Sequence, residues 1–389
     1  MKSSGPKAVA DIPLLDLSRQ YATIRAQILA AVARVCDSQS YILGAEVANL
    51  EREFAALCST SESVSCASGT DALWLCLAAA GIKSGDSVVT TPFSFFATAS
   101  SIIRAGARPV FTDIDPETLN LDPAKAELHL KTSTARRHGI MPVHLYGQCA
   151  DMDALKRLAD EFKLSLIEDA AQAVGAAWRG RPAGSLGLAA AFSFYPTKNL
   201  SAFGDAGALT TDNPALAERA RSLRNHGAKK RYYHHEIGAN SRMDALQAAV
   251  LRVKMPCLEG WNDGRRERAR IYDRLLAGAG LTKTGAQSAA PVSLLKTSPH
   301  AHHINHQYVI RARERDKLRE FLKERGVGSE IYYPVPLHLQ KCFAYLGYAE
   351  GDLPEAERAA TEVLALPMFA ELEEDEQRYV VETMAEFYS

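Results

Sequence analysis

Seven short β-rich apolar runs recur along the first two thirds of the chain, several of them separated by segments of helical spacing, and few folds accommodate that alternation. The runs fall at residues 63–66, 87–90, 108–112, 139–143, 165–168, 190–194 and 207–210. Helical patterns at 71–80, 96–105 and 152–162 lie between several of them, and two more, at 18–36 and 47–57, precede the first. Strand, crossover helix and next strand, repeated, predict an α/β fold: a mostly parallel seven-stranded sheet with helices on both faces.

The pattern changes after residue 258. Helical spacing at 244–258 and 262–277 leads into a Gly-, Ser- and Pro-rich stretch at 278–299. A strand is expected at 307–311, a helix at 314–325 and a further strand at 327–332, which together read as a smaller C-terminal α+β domain. The expected organisation is a flexible N-terminus at 1–10, a large domain at 11–258 and a small domain at 259–389.

Composition narrows the function classes. The balance of 45 Lys and Arg against 46 Asp and Glu lacks the basic surface that binding a nucleic-acid polymer needs. The uncharged stretch at 87–103 holds Thr90, Thr91, Pro92, Ser94, Thr98, Ser100 and Ser101, too polar and too short to span a bilayer. The first ten residues do not read as a signal peptide, so the expected location is cytoplasmic with no membrane contact. Seven cysteines, scattered without a CxxC pair, fit free thiols in a reducing compartment better than a disulfide framework.

Three local signals carry chemistry. Cys66-Ala67-Ser68-Gly69-Thr70-Asp71 follows a strand and opens a helix, where unpaired backbone N–H groups and a partial positive charge suit a phosphate. The same residues also serve as an ordinary helix cap, with Ser68 or Thr70 as the capping hydroxyl. Ile167-Glu168-Asp169-Ala170-Ala171-Gln172 ends a strand on two carboxylates, at the sheet edge where ligands of open parallel sheets sit. Asp169 there can hold a protonated ring nitrogen or cap a following helix. Ser193-Phe194-Tyr195-Pro196-Thr197-Lys198-Asn199 sets a single lysine between an aromatic strand end and a small-residue loop, a partly desolvated place for an amine nucleophile. In that order, an anion cradle, an Asp and a Lys meet the needs of a pyridoxal phosphate site: each supplies what the others lack.

With those motifs, together with Thr91-Pro92-Phe93-Ser94-Phe95-Phe96-Ala97-Thr98, Pro142-Val143-His144-Leu145-Tyr146-Gly147 and Gly238-Ala239-Asn240-Ser241-Arg242-Met243, the chain resembles the DegT-type sugar aminotransferases. These are a branch of the fold-type I, aspartate aminotransferase-like pyridoxal phosphate enzymes. The resemblance runs from about Pro13 to the C-terminus and makes the large domain the cofactor domain. It implies that Lys198 forms a Schiff base with the cofactor and then acts as general base and acid. It implies that Asp169 pairs with the ring nitrogen, Gln172 sits by the phenolic oxygen, and Gly69, Thr70 and Ser193 hold the phosphate. Phe96 is the position implied for an aromatic ring over the cofactor, with Phe95 the fallback if the register slips by one. Asn240 matches a position that reaches the phosphate of a neighbouring subunit's site, which implies a homodimer with shared sites; read alone, 238–243 is a loop before a helix.

The resemblance also implies a nucleotide-linked keto-deoxysugar as amino acceptor and L-glutamate as donor. Ile331-Tyr332-Tyr333-Pro334-Val335-Pro336-Leu337-His338 is similar to members that aminate a 3-keto sugar, with a 4-keto sugar as the alternative. Tyr332, Tyr333 and His338 are candidates for touching sugar or nucleotide, or are packed residues of a strand end. Arg231, in the basic and aromatic run at 229–235, is a candidate for meeting a diphosphate, or is solvated surface. His300, His302, His303 and His306 are too loosely spaced, without Cys or paired carboxylates, for a metal site, so no metal is expected. Two rival readings remain. Related dehydratases replace the lysine with histidine, and Lys198 stands against that variant. A regulatory relative that has lost catalysis is the other, and the full set of Asp169, Ser193, Lys198 and Asn240 stands against it.

Overall fold

The computed structural model describes residues 11–132, 138–282 and 290–389, so the expectation for 1–10 lies outside the described residues. Two helices, α1 (Leu17–Ser38) and α2 (Ala45–Leu57), lead into β1 (Glu62–Cys66), α3 (Gly69–Ala79), β2 (Ser87–Thr90), α4 (Ala97–Arg104) and β3 (Arg108–Phe111). The chain continues through α5 (Pro123–Thr132), β4 (Gly139–Met141), α6 (Met152–Phe162), β5 (Ser165–Asp169), β6 (Ala189–Ser193), β7 (Gly207–Thr211) and α7 (Pro214–Leu223).

These strands form one seven-stranded sheet of order β1-β7-β6-β5-β4-β2-β3. All neighbours pair in parallel except β7, which runs against both β1 and β6. Every strand of the expected α/β sheet is present, with ends within two residues of the sequence reading.

The sheet is buried on both faces, which explains its near-continuous apolar runs. Val89, Ile140, Leu166, Ala190 and Ala208 enter a core shared with Phe54 of α2 and Leu155 and Leu158 of α6. Their neighbours Val88, Met141, Ile167, Ala191 and Leu209 enter the opposite core, with Leu73 and Leu75 of α3 and Leu216 of α7. The alternation is the period of two that a pleated strand imposes.

Beyond the sheet, α8 (Ala245–Lys254) turns through a short 3-10 segment, Met255–Cys257, into α9 (Leu258–Gly278). Pro256 lies in that turn and breaks the expected helical run at 244–258. Leu258 packs in the sheet core, whereas Ala269, Tyr272 and Leu276 of the same helix belong to a separate core. That second core is built on an antiparallel sheet of β8 (Val292–Leu294), β9 (Tyr308–Ala312) and β10 (Val363–Leu366), order β8-β9-β10. Helices α10 (Arg315–Glu324), α11 (Pro354–Glu362) and α12 (Glu374–Tyr388) supply Leu318, Ala359 and Val380 to it. We propose a domain division near residue 259, where α9 passes from the first core into the second. Ile12 at the chain's start pairs with this unit, donating to Gly326 O and accepting from Gly328 N, both at 2.8 Å.

The strand expected at 327–332 does not form. Val327 and Glu330 make only isolated bridges, to Ile12 and Ala365 respectively, so the segment is split between two partners. The third strand of the small sheet is β10 instead, which sequence reading missed along with α5, α7, α11 and α12. All seven cysteines are free, and no helix among the described residues is long and apolar enough to cross a membrane.

Candidate active site

Because β7 is reversed, its first residue meets the last residues of β1 and β6: Gly207 pairs with Cys66 on one side and Ser193 on the other. The turn at Ser68-Gly69-Thr70 sits on this junction. Ser68 Oγ accepts from Asp71 N at 3.1 Å, so Ser68 is the cap of α3 and Thr70 is not. Capping alone does not explain the glycines. A Cβ on Gly69 would lie 2.6 Å from Ser193 Cβ, and one on Gly207 would lie 2.4 Å from the Ser68 carbonyl carbon. Gly69 and Thr70, in the first turn of α3, carry N–H groups that have no carbonyl a turn earlier to bond. The result is a backbone cradle with the Ser193 hydroxyl beside it, whose donors suit an anion.

Next along the sheet edge, Asp169 ends β5 and is 4% exposed. Its Oδ2 accepts from Thr98 Oγ1 at 2.7 Å, and its Oδ1 from Ala171 N at 3.2 Å. Burial pushes its carboxyl above the usual range, while the Thr98 hydrogen bond and the Lys198 charge act the other way. No α-helix follows at 170–176, so Asp169 is not a helix cap. Glu168, one residue earlier, points to the opposite face and is fully buried. It accepts from Gly184 N, Leu186 N, Gly187 N and His144 Nε2 at 2.8–3.0 Å. His144 Nδ1 accepts from Ala150 N, which leaves the proton on Nε2 for Glu168.

Gln172 closes the next side. Its Oε1 accepts from Tyr146 N at 2.6 Å and its Nε2 donates to Tyr333 Oη at 3.1 Å. Phe93 and Phe95 pack their rings 6.2 and 6.3 Å from Tyr333. Lys198 lies in the loop at 194–206 between β6 and β7, its N–H donating to Tyr195 O at 2.8 Å. Its amine forms no ion pair among the described residues. Burial lowers it to about 8, and the nearby Asp169 pulls it back only in part.

The Phe96 ring is turned away, stacked on Phe343 at 5.2 Å; the helix begins at Ala97, and adjacent residues leave its first turn in different directions. Phe95 is therefore the aromatic that flanks Tyr333, and Thr98, one turn on, reaches Asp169. His338 is 1% exposed and bonds Glu357 Oε1 at 3.0 Å beneath the Tyr348 ring, so it is a packed residue and not a substrate contact. Arg231 lies at the exposed tip of the hairpin joining Ala228–Lys230 to Tyr233–His234, over the Tyr232 ring. Asn240 is exposed beside Ser241, whose carbonyl accepts from Ala67 N next to the cradle. Tyr332 is half-buried and its carbonyl accepts from Tyr146 Oη. The four loop histidines have separate partners: Arg179, Arg266, Asn305 N and Asn199. Sequence reading assigned no role to Thr98, Asn199 or His306; the spacing of Thr98 from Phe95 was the available signal for the first.

A half-buried amine of lowered proton affinity, a buried carboxylate and a glycine-lined anion cradle at one sheet edge define a fold-type I pyridoxal phosphate enzyme. Residues 22–385 match the DegT/DnrJ/EryC1/StrS aminotransferase family, and the chain belongs to it. It is a pyridoxal phosphate-dependent sugar aminotransferase. It is 50% identical over 378 residues to a pleiotropic regulatory protein of Geobacillus stearothermophilus, covering 97% of this chain and 99% of that one. It is 44% identical over 377 residues to the dTDP-3-amino-3,4,6-trideoxy-alpha-D-glucose transaminase of Streptomyces venezuelae, covering 97% and 96%. The crystal structure of S. venezuelae DesV in complex with a ketimine intermediate superimposes with a TM-score of 0.91 at 42% identity, over 97% of this chain and 99% of that one.

Proposed function

We infer that this aminotransferase moves the amino group of L-glutamate onto a nucleotide-linked keto-deoxysugar, with the ketone at carbon 3, as a cytoplasmic homodimer. The observation that carries the reading is the convergence of Lys198, Asp169 and the Gly69–Ser193 cradle at one sheet edge. Bound pyridoxal phosphate supplies an electron sink for removing a proton from the carbon that bears the amine.

The chain's own residues do the rest. Gly69 N–H, Thr70 N–H and Ser193 Oγ bind the phosphate. Asp169, oriented by Thr98, holds a proton on the ring nitrogen. Gln172, oriented by Tyr146 N–H, places its amide by the phenolic oxygen, and Phe95 covers the ring face. Lys198 Nζ, whose proton affinity burial lowers, would take a proton from the donor carbon in the first half-reaction and deliver one to the sugar carbon in the second. Asn240 and the Arg231 hairpin, both exposed, serve the partner's site. Large apolar side chains are exposed between these segments and at the site's edge: Ile237 at 95%, Tyr195 at 52% and Phe95 at 58%. Such a surface wants a partner.

The 3-keto preference rests on the relative named for a 3-amino sugar and on the Tyr332-Tyr333 segment. Turnover of glutamate against a panel of dTDP- and UDP-linked 3-keto and 4-keto sugars tests it, and amination of the 4-keto sugar alone would reverse the assignment. The regulatory relative makes a non-catalytic role the second reading. A wild type that stays colourless after cofactor addition would favour that second reading.

A further inference from the structure

Resting on the glutamate-donor reading above, we propose that Arg265 forms the carboxylate subsite for the amino donor, in a small cavity beside the lysine loop. The cavity measures about 80 Å³ and is lined by Arg265, Thr197, His306, Gln307, Tyr332 and Met368 among others. Thr197 directly precedes Lys198, and His306 of the lining feels the Lys198 charge, so the cavity lies near the reacting amine. Whole ligand sites run to roughly 300–1,000 Å³, so this space admits one end of a ligand and no nucleotide sugar.

Arg265 projects from α9 and is 4% exposed. Its Nη1 donates to the carbonyls of His306 and Met368, both at 3.0 Å. Among the described residues no carboxylate forms an ion pair with it, and its Nε and Nη2 have no hydrogen-bond partner. A buried guanidinium is ordinarily paired, because an uncompensated charge in the interior is strongly destabilising. Burial draws Arg265 down to about 10, with only the more distant Glu371 pulling the other way. Two neutral carbonyls fix its orientation without cancelling its charge, as an anion site requires.

His306 of the lining leaves the anion to Arg265. Asn262 Nδ2 donates to Val174 O, so Asn262 Oδ1 accepts from Asn199 Nδ2, and Asn199 Oδ1 accepts from His306 Nδ1. That chain puts the imidazole proton on Nδ1 and leaves Nε2 a bare acceptor. Burial and the Lys198 charge also hold His306 well below its usual proton affinity, so it stays neutral. Arg265 is thus the sole cation of the lining.

The test is a half-reaction on holoenzyme: loss of the yellow absorbance against glutamate concentration, for wild type, Arg265→Met and Arg265→Lys. A charged hydrogen-bond pair contributes about 1.5–3 kcal/mol, so Arg265→Met should raise the half-saturating glutamate concentration roughly 10- to 150-fold. Glutarate, a dicarboxylate without the amine, should lose inhibition in parallel. Discharge of the aminated holoenzyme by keto sugar should keep its half-saturating concentration, which a merely structural loss would not spare. Arg265→Met saturating at the wild-type glutamate concentration overturns the subsite alone. A wild type that glutamate does not discharge overturns the donor assignment and the subsite with it. If Arg265→Met yields no holoenzyme, Arg265→Lys carries the test, and an unchanged half-saturation there overturns the subsite equally.

Discussion

At the carboxyl end of β5, Glu168 and Asp169 are buried back to back with every carboxylate oxygen engaged, whereas on the rim Phe95, Phe96 and Tyr195 stand half exposed and Arg231 lies over its neighbour Tyr232. The first region is determined by backbone register. Two residues on one strand must face opposite ways, so one carboxylate serves the fold and the other serves the site. The rim is determined by loops that lack such a rule, and part of what it faces belongs to another copy of the chain in the proposed dimer. Position at a strand end therefore forecasts a role here, and position on the rim does not.

The strongest way to break this contrast is to exchange the fates of the two carboxylates. Glu168→Ala leaves three buried N–H groups and His144 without an acceptor, and should lower unfolding stability by roughly 3–5 kcal/mol in a denaturant titration. Asp169→Asn should leave that midpoint nearly unchanged yet cut kcat by about 100-fold or more, since it removes the ring-nitrogen partner. Equal effects on stability would erase the distinction.

A smaller change sharpens it. Thr98→Val removes the hydroxyl that donates to Asp169, which should raise the Asp169 carboxyl further and lower kcat about tenfold, in line with a charged hydrogen bond. On the rim, Phe95→Ala should reduce kcat/KM by about 2- to 12-fold for the loss of a ring contact, and Phe96→Ala by less. The reverse order would restore the original reading of Phe96.

The smallest effect concerns pH. Lys198 has a folded value of about 8, below its ordinary 10.5, so the folded apoenzyme binds fewer protons than the unfolded chain between those values. Stability should therefore rise with pH through that window. Apo Lys198→Met should melt slightly above apo wild type below pH about 8, and the gap should close as pH approaches 10.5. A gap that widens with pH would contradict the burial of this amine.

Much of the sheet was legible because its strands are buried on both faces and punctuated by Gly, Pro and polar turns; 87–90 agrees to the residue with β2. The cradle, Asp169 and Lys198 were legible because each sits where a strand ends. What stayed hidden depends on contacts distant in sequence. The segment 327–332 reads as a strand, but Ile12 and Ala365 divide its pairing. His338 read equally as a substrate contact or a packed residue, and Glu357 and Tyr348, further along the chain, settle it as packed. The choice between Phe95 and Phe96 turned on where α4 starts, a matter of one residue.

The reversed strand β7 has one more effect. A parallel successor to β6 would have required the chain to travel back along the sheet, drawing the lysine loop toward the far edge. Because β7 returns antiparallel, the loop leaves Ser193 and re-enters at Gly207 on the same edge, so the reactive amine hangs from a strap buckled at both ends beside the phosphate cradle. Such a strap tolerates change at its exposed positions, Phe203 and Asp205, far better than at its buckles or at the buried Ser201 and Ala202. Natural or engineered variation in this enzyme should accumulate between those anchors and avoid them.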